Sequence, residues 1–581
     1  MAKQIYLQKA EFPEFGGIDA RYSHTGGTAS SADVVNFRIT PDGSLQKRCG
    51  FRRLLTAAAP VRAVWSGKIL GKWYGVVLAG AQVSYLDLSA GTLTAAGTVG
   101  TSQGQASFFF YRDTLYLTDG TSVYRITPDS VTADIGYLPL LTLDWDAVEM
   151  GEIHEPLNLL TRRARLSYLV KSLPTGYFRS AGMTVESVEA VYKNGTLLSP
   201  TLYSYDADTK SLVVPSLAVG DRIEAFVTFP ASELPYQANK IGAANAYTFG
   251  GITESRVFLW NRENGGTVYP SAYVPDEDLK AAGRSAPGSG ALYFPAGHAR
   301  RIGDGRYHIR ALARQFDRLL VFTDGDLWKT ENAVSGLSEL PSMNINTAIG
   351  CGSDNGALSL GNFPVSVGEH TLYRWTSETE ELNDCNAESI SAGIDSLLPE
   401  GFYQKAGLFY DRWVNELWLY APGVSSDAWI YSPVSRKWVR FTGIPADGFF
   451  DADGAVGFFS GNGIYVFDPA LTADYPNAQG ATLSAPRGIT ASWKSNRIHF
   501  SDKPVCRLGS VSLCTDAGTA PLRLRFSGNS IRTSEWQVSA SAPCTNIHRR
   551  LCTGRTDAGT LELICDGNAG QTVHNLTLAL R

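Results

Sequence analysis

The sequence predicts an all-β fold: a β-propeller with an inserted small β-sandwich domain and a C-terminal β-sandwich domain. Three observations lead there. Gln315–Trp328 (QFDRLLVFTDGDLW) reads as a complete hairpin, with apolar Leu319, Leu320, Val321 and Phe322, an Asp324-Gly325 turn and a return strand from Leu327-Trp328. Asp-Gly between two such runs is a strong hairpin signal, because a tight turn favours a residue that tolerates positive φ. The unit recurs at Asp113–Arg125 around Asp119-Gly120, at Asn415–Tyr431 with a longer loop, and at Asp453–Phe467 around Gly461-Asn462-Gly463. Composition agrees: 58 Gly, 26 Tyr, 26 Phe and 12 Trp against 4 Met favour strands and turns over helices.

A chain of 581 residues is too long for one core and implies two to four domains. A net charge of −5 with a pI near 6.0 argues against a strongly basic nucleic-acid reader. No stretch approaches the roughly 18–20 apolar residues of a membrane span. The opening MAKQIYLQKAEFPEF lacks the apolar centre of a signal peptide, so folding in the cytoplasm is expected. The eight cysteines include no CxxC pair, and several alternate like strand residues, so they read as small buried hydrophobes.

In chain order, residues 1–56 form an extended N-terminal segment joining the propeller. A strand at Val34–Ile39 precedes a Pro41-Asp42-Gly43 turn, and the next strand carries Lys47, Arg48, Arg52 and Arg53. This basic cluster reads either as a solvated strand edge or as a contact to phosphates or to an acidic neighbouring subunit.

The residues Phe15, Gly16, Gly17, Asn36, Asp42, Gly43, Leu45, Lys47, Arg48, Gly50 and Phe51 make the pattern FxGG…NFRIxPDGSLxKRxGF. It resembles the opening of tail nozzle, or tail-hub, structural proteins of short-tailed bacteriophages (the tail tubular, packaged-DNA stabilisation type). A second resemblance lies in SRVFLW at 255–260, Tyr269–Ser271, YFP at 293–295, IGDG at 302–305 and the 309–328 segment. A third, partial one runs from Ala406 through Phe441. Together they cover much of residues 15–467.

Residues 57–140 read as the first part of the propeller, with short strands at Val61–Ser66, Trp73–Leu78, Val83–Leu88 and Phe108–Tyr111 before the Asp113 hairpin. Residues 141–157 are acidic, lack strand alternation and read as a linker; Asp144, Asp146, Glu149, Glu152 and Glu155 are candidate lumen or interface acids. The inserted β-sandwich with this linker spans 141–237, with a hairpin turn at Asn194-Gly195. That this segment is such an insertion is also implied by the resemblance.

The propeller resumes over 238–475, with a flexible loop at Pro275–Gly290. Asn386–Pro399 reads as the best helix, since Ile390, Ile394, Leu397 and Leu398 share one face and Pro399 ends it. Trp413, Trp418, Trp429 and Trp438 mark a Trp-rich blade and read as core more than as sugar-stacking platforms. After a Pro/Ala-rich linker at 476–486, residues 488–581 form the C-terminal β-sandwich domain. There Arg523 and Arg525 alternate with apolar residues and suggest a cationic face.

No GxSxG, HExxH or phosphate loop is present, and Ser425–Trp429 lacks the Gly of a sialidase-type turn. His298, His308 and His370 lie in presumed loops or strand ends. The expectation is therefore a non-enzyme with no metal and no cofactor. The resemblance implies a virion tail protein assembled in the host cytoplasm. Its implied partners are copies of itself in a ring, six by the family pattern, a portal–adaptor ring, and tail fibres or tip proteins. Double-stranded DNA would pass non-specifically through the channel, whose acidic walls would keep it from sticking. The alternatives are a glycan-binding or glycan-cleaving propeller at a tail tip, and a stopper of a long-tailed phage.

Overall fold

The computed structural model describes residues 8–22, 29–69, 71–146, 151–172, 177–233, 245–250, 255–261, 265–283, 290–331, 341–376, 386–478, 482–499, 507–529, 533–551, 553, 555–567 and 570–580. It is almost all β. Among the described residues the α-helices are two short ones, Asp276–Gly283 and Phe402–Lys405. The chain divides into two compact units, one of residues 1–79, 84–94 and 348–581, the other of 80–83 and 95–347.

In the first unit the recurring element is a four-stranded antiparallel meander. One runs through Val61–Ile69, Lys72–Ala79, Gln82–Asp87 and Thr92–Thr98, of which residues 82–83 and 95–98 belong to the second unit. A second occupies Ala357–Leu360 to Asn386–Ser389, and a third Gly407–Asp411 to Lys437–Phe441. The last has three local strands, Gly448–Asp451, Val456–Ser460 and Gly463–Asp468. Its fourth is Gly50–Thr56, paired from Gly463↔Thr56 to Asp468↔Gly50. Alternation supplies the cores: Val77, Leu86, Phe450 and Ile464 pack together, and so do Trp418, Phe441, Phe458 and Phe467.

The N-terminal segment does more than join these sheets. Gln8–Phe12 pairs with the terminal strand Thr572–Leu580, which also pairs with Leu45–Lys47 and with Leu508–Thr515. Ser31–Val35 lies between Lys437–Phe441 (parallel) and Ala491–Ser495 (antiparallel). The strands Gln8–Phe12, Ser31–Val35 and Leu45–Lys47 thus join both sheets of the C-terminal region, where the sequence predicts an extended lead-in and a terminal domain. Phe12 and Phe15 flank Trp493 edge-on at 5.1 Å each. Gly16 and Gly17 are required by close approach, since a Cβ would fall 2.3 Å from the Ala29 carbonyl oxygen and 2.7 Å from the Lys437 Cβ.

The second unit holds three further meanders: Ser107–Tyr111 to Ser130–Ala133, Asn245–Gly250 to Arg300–Arg301, and Ile309–Gln315 to Ser342–Asn346. The 315–328 hairpin sits in the last of these, as Arg318–Thr323 against Leu327–Glu331. Its glycine serves a different purpose from the expected one. Gly325 is absent from the positive-φ residues, and a Cβ there would meet the Tyr307 ring at 2.3 Å. The remaining part has a five-stranded sheet (Leu140–Trp145, Arg163–Leu169, Arg222–Thr228, Ser187–Lys193, Thr196–Leu197) and a three-stranded sheet (Tyr177–Arg179, Ser211–Val213, Ser204–Asp206). Both share a core that includes Leu166, Phe178, Val191, Leu212 and Ile223.

Several sequence expectations are corrected. Asn386–Pro399 forms no α-helix: Asn386–Ser389 is the outer strand of its sheet, and only Asp395–Leu397 makes a 3-10 turn. Tertiary pairing overrides a helical pattern this short. The start of the acidic 141–157 linker is a strand, Leu140–Trp145, running parallel to Arg163–Leu169 with two register shifts that hide its alternation. The Pro275–Gly290 loop contains the helix Asp276–Gly283. The strands Thr92–Thr98 and Ser130–Ala133 went unread because they carry few buried residues.

Candidate functional site

Lys47 and Arg48 face inward, so they are not available for the subunit or adaptor contact read from the sequence. Lys47 shares its strand face with buried Leu45; its Nζ donates to the Gly567 carbonyl at 2.5 Å, and burial lowers its pKa. Arg48 uses all five of its N–H donors. Nε meets Asn36 Oδ1 at 2.9 Å, Nη1 meets Cys49 O at 2.9 Å and Asp474 Oδ1 at 2.8 Å, and Nη2 meets Asp474 Oδ2 at 2.9 Å and Thr442 O at 3.3 Å. Both charged side chains are at most 2% exposed.

Asn36 is the centre of the same network. It takes φ 54°, donates through Nδ2 to Thr442 Oγ1 and the Thr490 carbonyl, and accepts from the Thr442 N–H. The motif that carries the first resemblance is therefore an internal lock: it ties the N-terminal corner to the 441–443 loop, to the strand start at 490 and to Asp474. Arg52 and Arg53 are half-buried. Arg52 lies 3.8 Å from Asp468, and Arg53 donates to the carbonyls of Ala478 and Asn477.

The acidic candidates separate in the same way. Asp144 accepts from Ser167 Oγ and pairs with Arg222 at 2.7 Å. Glu155 is half-buried and accepts from the Leu140 N–H and from Tyr137 OH, which itself accepts from Arg165. Burial raises its pKa, with the Leu140 and Tyr137 hydrogen bonds opposing. Asp146 and the exposed Glu152 border an open hollow also lined by Leu143, Ile153, His154 and Lys171. Glu149 lies outside the described residues.

Of the four tryptophans in the Trp-rich sheet, Trp418, Trp429 and Trp438 are core. Trp413 is 55% exposed; its Nε1 donates to Asp451 Oδ2 and Lys68 lies over its ring. Arg523 and Arg525 do not make a cationic face, because Asp566, Glu535 and Glu562 pair with them. The cysteines also divide: Cys351 and Cys565 are buried as expected, but Cys544 is exposed. Beside Cys544 stand Asp516 and His574, a group that local spacing in the sequence did not reveal because its members are 28 and 30 residues away.

No family model and no curated protein matches the chain. Among solved structures it is similar to PorZ, a surface component of the type-IX secretion system of Porphyromonas gingivalis. That likeness has 10% identity and a TM-score of 0.32 over 84% of this chain and 46% of that one, so this chain spans under half of it. A chain of a mitotic checkpoint complex matches with 11% identity and a TM-score of 0.31 over 74% of this chain and 93% of its own. An exo-beta-1,3-galactanase of Phanerochaete chrysosporium matches with 9% identity and a TM-score of 0.22, over 76% of this chain and 99% of its own. Likenesses this weak assign neither a fold family nor an activity.

Proposed function

We propose that this protein is a structural subunit of a phage tail nozzle or hub, built on a β-propeller. In this reading each four-stranded meander is a blade, the N-terminal strand Gly50–Thr56 completes the last, and two small β-sandwiches are added, one inserted and one C-terminal. Copies assemble into a ring, six by the family pattern, below a portal–adaptor ring. The ring forms the DNA exit channel and anchors fibres or tip proteins in the virion tail. The protein performs no catalysis.

The observation that carries this reading is the coincidence of the resemblance with the architecture. Phe15, Gly16, Gly17, Asn36, Leu45, Lys47, Arg48, Gly50 and Phe51 are all buried. They hold the N-terminal segment against sheets formed more than 380 residues later, as in the Asn36–Thr442 and Arg48–Asp474 contacts. A pattern buried in this way serves the fold of the subunit rather than a contact patch. In this reading Asp146 and Glu152, which border the hollow near Lys171, are the acids offered to a channel wall.

Negative-stain imaging and mass photometry of the purified chain test the reading. A ring of six copies with a hole wide enough for duplex DNA is expected. A protein that stays monomeric and gains melting temperature with host polysaccharide would overturn it in favour of a glycan-binding propeller.

A further inference from the structure

Three chemically different side chains converge at the open end of the terminal sheet. Asp516 follows the strand Leu508–Thr515, Cys544 precedes Thr545–Arg550, and His574 lies in Thr572–Leu580; these three strands are neighbours. Cys544 Sγ is 3.8 Å from His574 Nε2 and 3.9 Å from Asp516 Oδ1, and His574 Nε2 is 3.4 Å from Asp516 Oδ1. A tetrahedral zinc with Zn–S of ~2.3 Å and Zn–N and Zn–O of ~2.0–2.1 Å holds its sulfur roughly 3.5 Å from the other donors, and its nitrogen and oxygen roughly 3.4 Å apart. The three separations match that triangle to within a few tenths of an ångström.

The second shell fixes which imidazole nitrogen faces the group. Ser44 Oγ lies 2.7 Å from Asp42 Oδ2 and 3.2 Å from His574 Nδ1. An ionised carboxylate only accepts, so the Ser44 hydroxyl hydrogen goes to Asp42, and the oxygen it turns to His574 accepts the Nδ1 hydrogen. Nε2 is then the nitrogen that faces the thiol and the carboxylate. Nε2 and the Asp516 carboxylate oxygen stand 3.4 Å apart, the separation of two donors on one tetrahedral ion. A histidine whose other nitrogen is anchored in this way is the common arrangement of a metal ligand.

We propose that Cys544, His574 and Asp516 bind one divalent zinc ion, with the fourth position open to water. The ion takes the Cys544 thiolate, the Nε2 lone pair of His574 and the Asp516 carboxylate, and any protons these groups carry are released on loading. The ion cross-links the ends of three strands of the terminal sheet. Through Ser44 and Asp42, the N-terminal turn holds His574 in place.

The test is a titration of the metal-stripped full-length chain with Co2+, followed by competition with Zn2+ and by elemental analysis. Saturation at one equivalent with a thiolate-to-cobalt charge-transfer band is expected, together with a rise in melting temperature on zinc addition. Cys544→Ser and His574→Gln should remove the band, Ser44→Ala should weaken binding about tenfold or more, and Cys514→Ser should leave it intact. Absence of stoichiometric metal on the folded wild-type chain, or a band that survives Cys544→Ser, overturns the assignment. A band lost in Cys514→Ser overturns the ligand set.

Discussion

The Arg48 guanidinium grips the Asp474 carboxylate with two parallel N–H bonds, of 2.8 and 2.9 Å, inside a region from which water is excluded. The two residues are 426 positions apart, so the bond ties the N-terminal segment to the short strand Ala473–Asp474, which pairs with Arg487–Gly488. Removing one member leaves the other charge buried, which costs about 3–5 kcal/mol. Asp474→Asn keeps the shape but not the charge. It is expected to lower the stability of the first unit by about 3 kcal/mol in urea unfolding followed by tryptophan fluorescence. A loss below about 1 kcal/mol would show that the charge of Asp474 adds little beyond the hydrogen bonds an Asn amide can keep.

Asn36 combines a left-handed backbone with four side-chain hydrogen bonds. Asn36→Gly keeps the backbone at ease and loses the bonds; Asn36→Ala loses the bonds and strains the backbone as well. Both should destabilise by more than about 2 kcal/mol, and Ala by about 1 kcal/mol more than Gly. Equal losses in the two variants would show that φ 54° is not a constraint at this position.

Gly325 and Tyr307 should be coupled. A methyl at 325 falls 2.3 Å from a ring carbon of Tyr307, so Gly325→Ala is expected to cost about 1–3 kcal/mol. In a Tyr307→Ala background the same change should cost under about 0.5 kcal/mol. Additive losses in the double-mutant cycle would mean that the turn itself, not the ring, demands the glycine.

Asp221 supplies a pH dependence. Its carboxylate accepts from the Ala218 N–H at 2.6 Å, pairs with Lys193 at 2.9 Å and accepts from Asn194 Nδ2 at 2.8 Å. The backbone bond contributes most, and the pKa falls to about 2. Because the folded value lies below the ordinary ~3.9, the stabilisation is present above that pH and is lost as pH falls toward 2. Carboxyl NMR should place the titration near pH 2. Asp221→Asn should flatten the acid limb of the unfolding midpoint between about pH 4 and pH 2; an unchanged acid limb would assign that limb to other carboxylates.

How much of this was legible is clearest from particular residues. The hairpin at 318–331 follows from its apolar runs, and the Asn194-Gly195 turn, with φ 50° and 78°, from turn chemistry; both act within a few residues. Trp418 and Trp429 were read as core and are core. Lys47 and Arg48 were read as surface because a cation usually is; their burial depends on Gly567 and Asp474, which no local pattern announces. Leu140–Trp145 hid its strand character behind two register shifts.

By itself the sequence determined that the chain is all β, where most turns fall and which residues repeat, because side-chain periodicity and backbone sterics are local. Tertiary structure alone decided that Gly50–Thr56 completes a sheet begun at Gly448, and that Gln8–Phe12 and Leu45–Lys47 border Thr572–Leu580. It also decided that Asp516, Cys544 and His574 meet. An exposed strand edge offers the same row of N–H and C=O groups to any partner. Which edge it joins depends on how the whole chain packs, and so do the charges that end up inside.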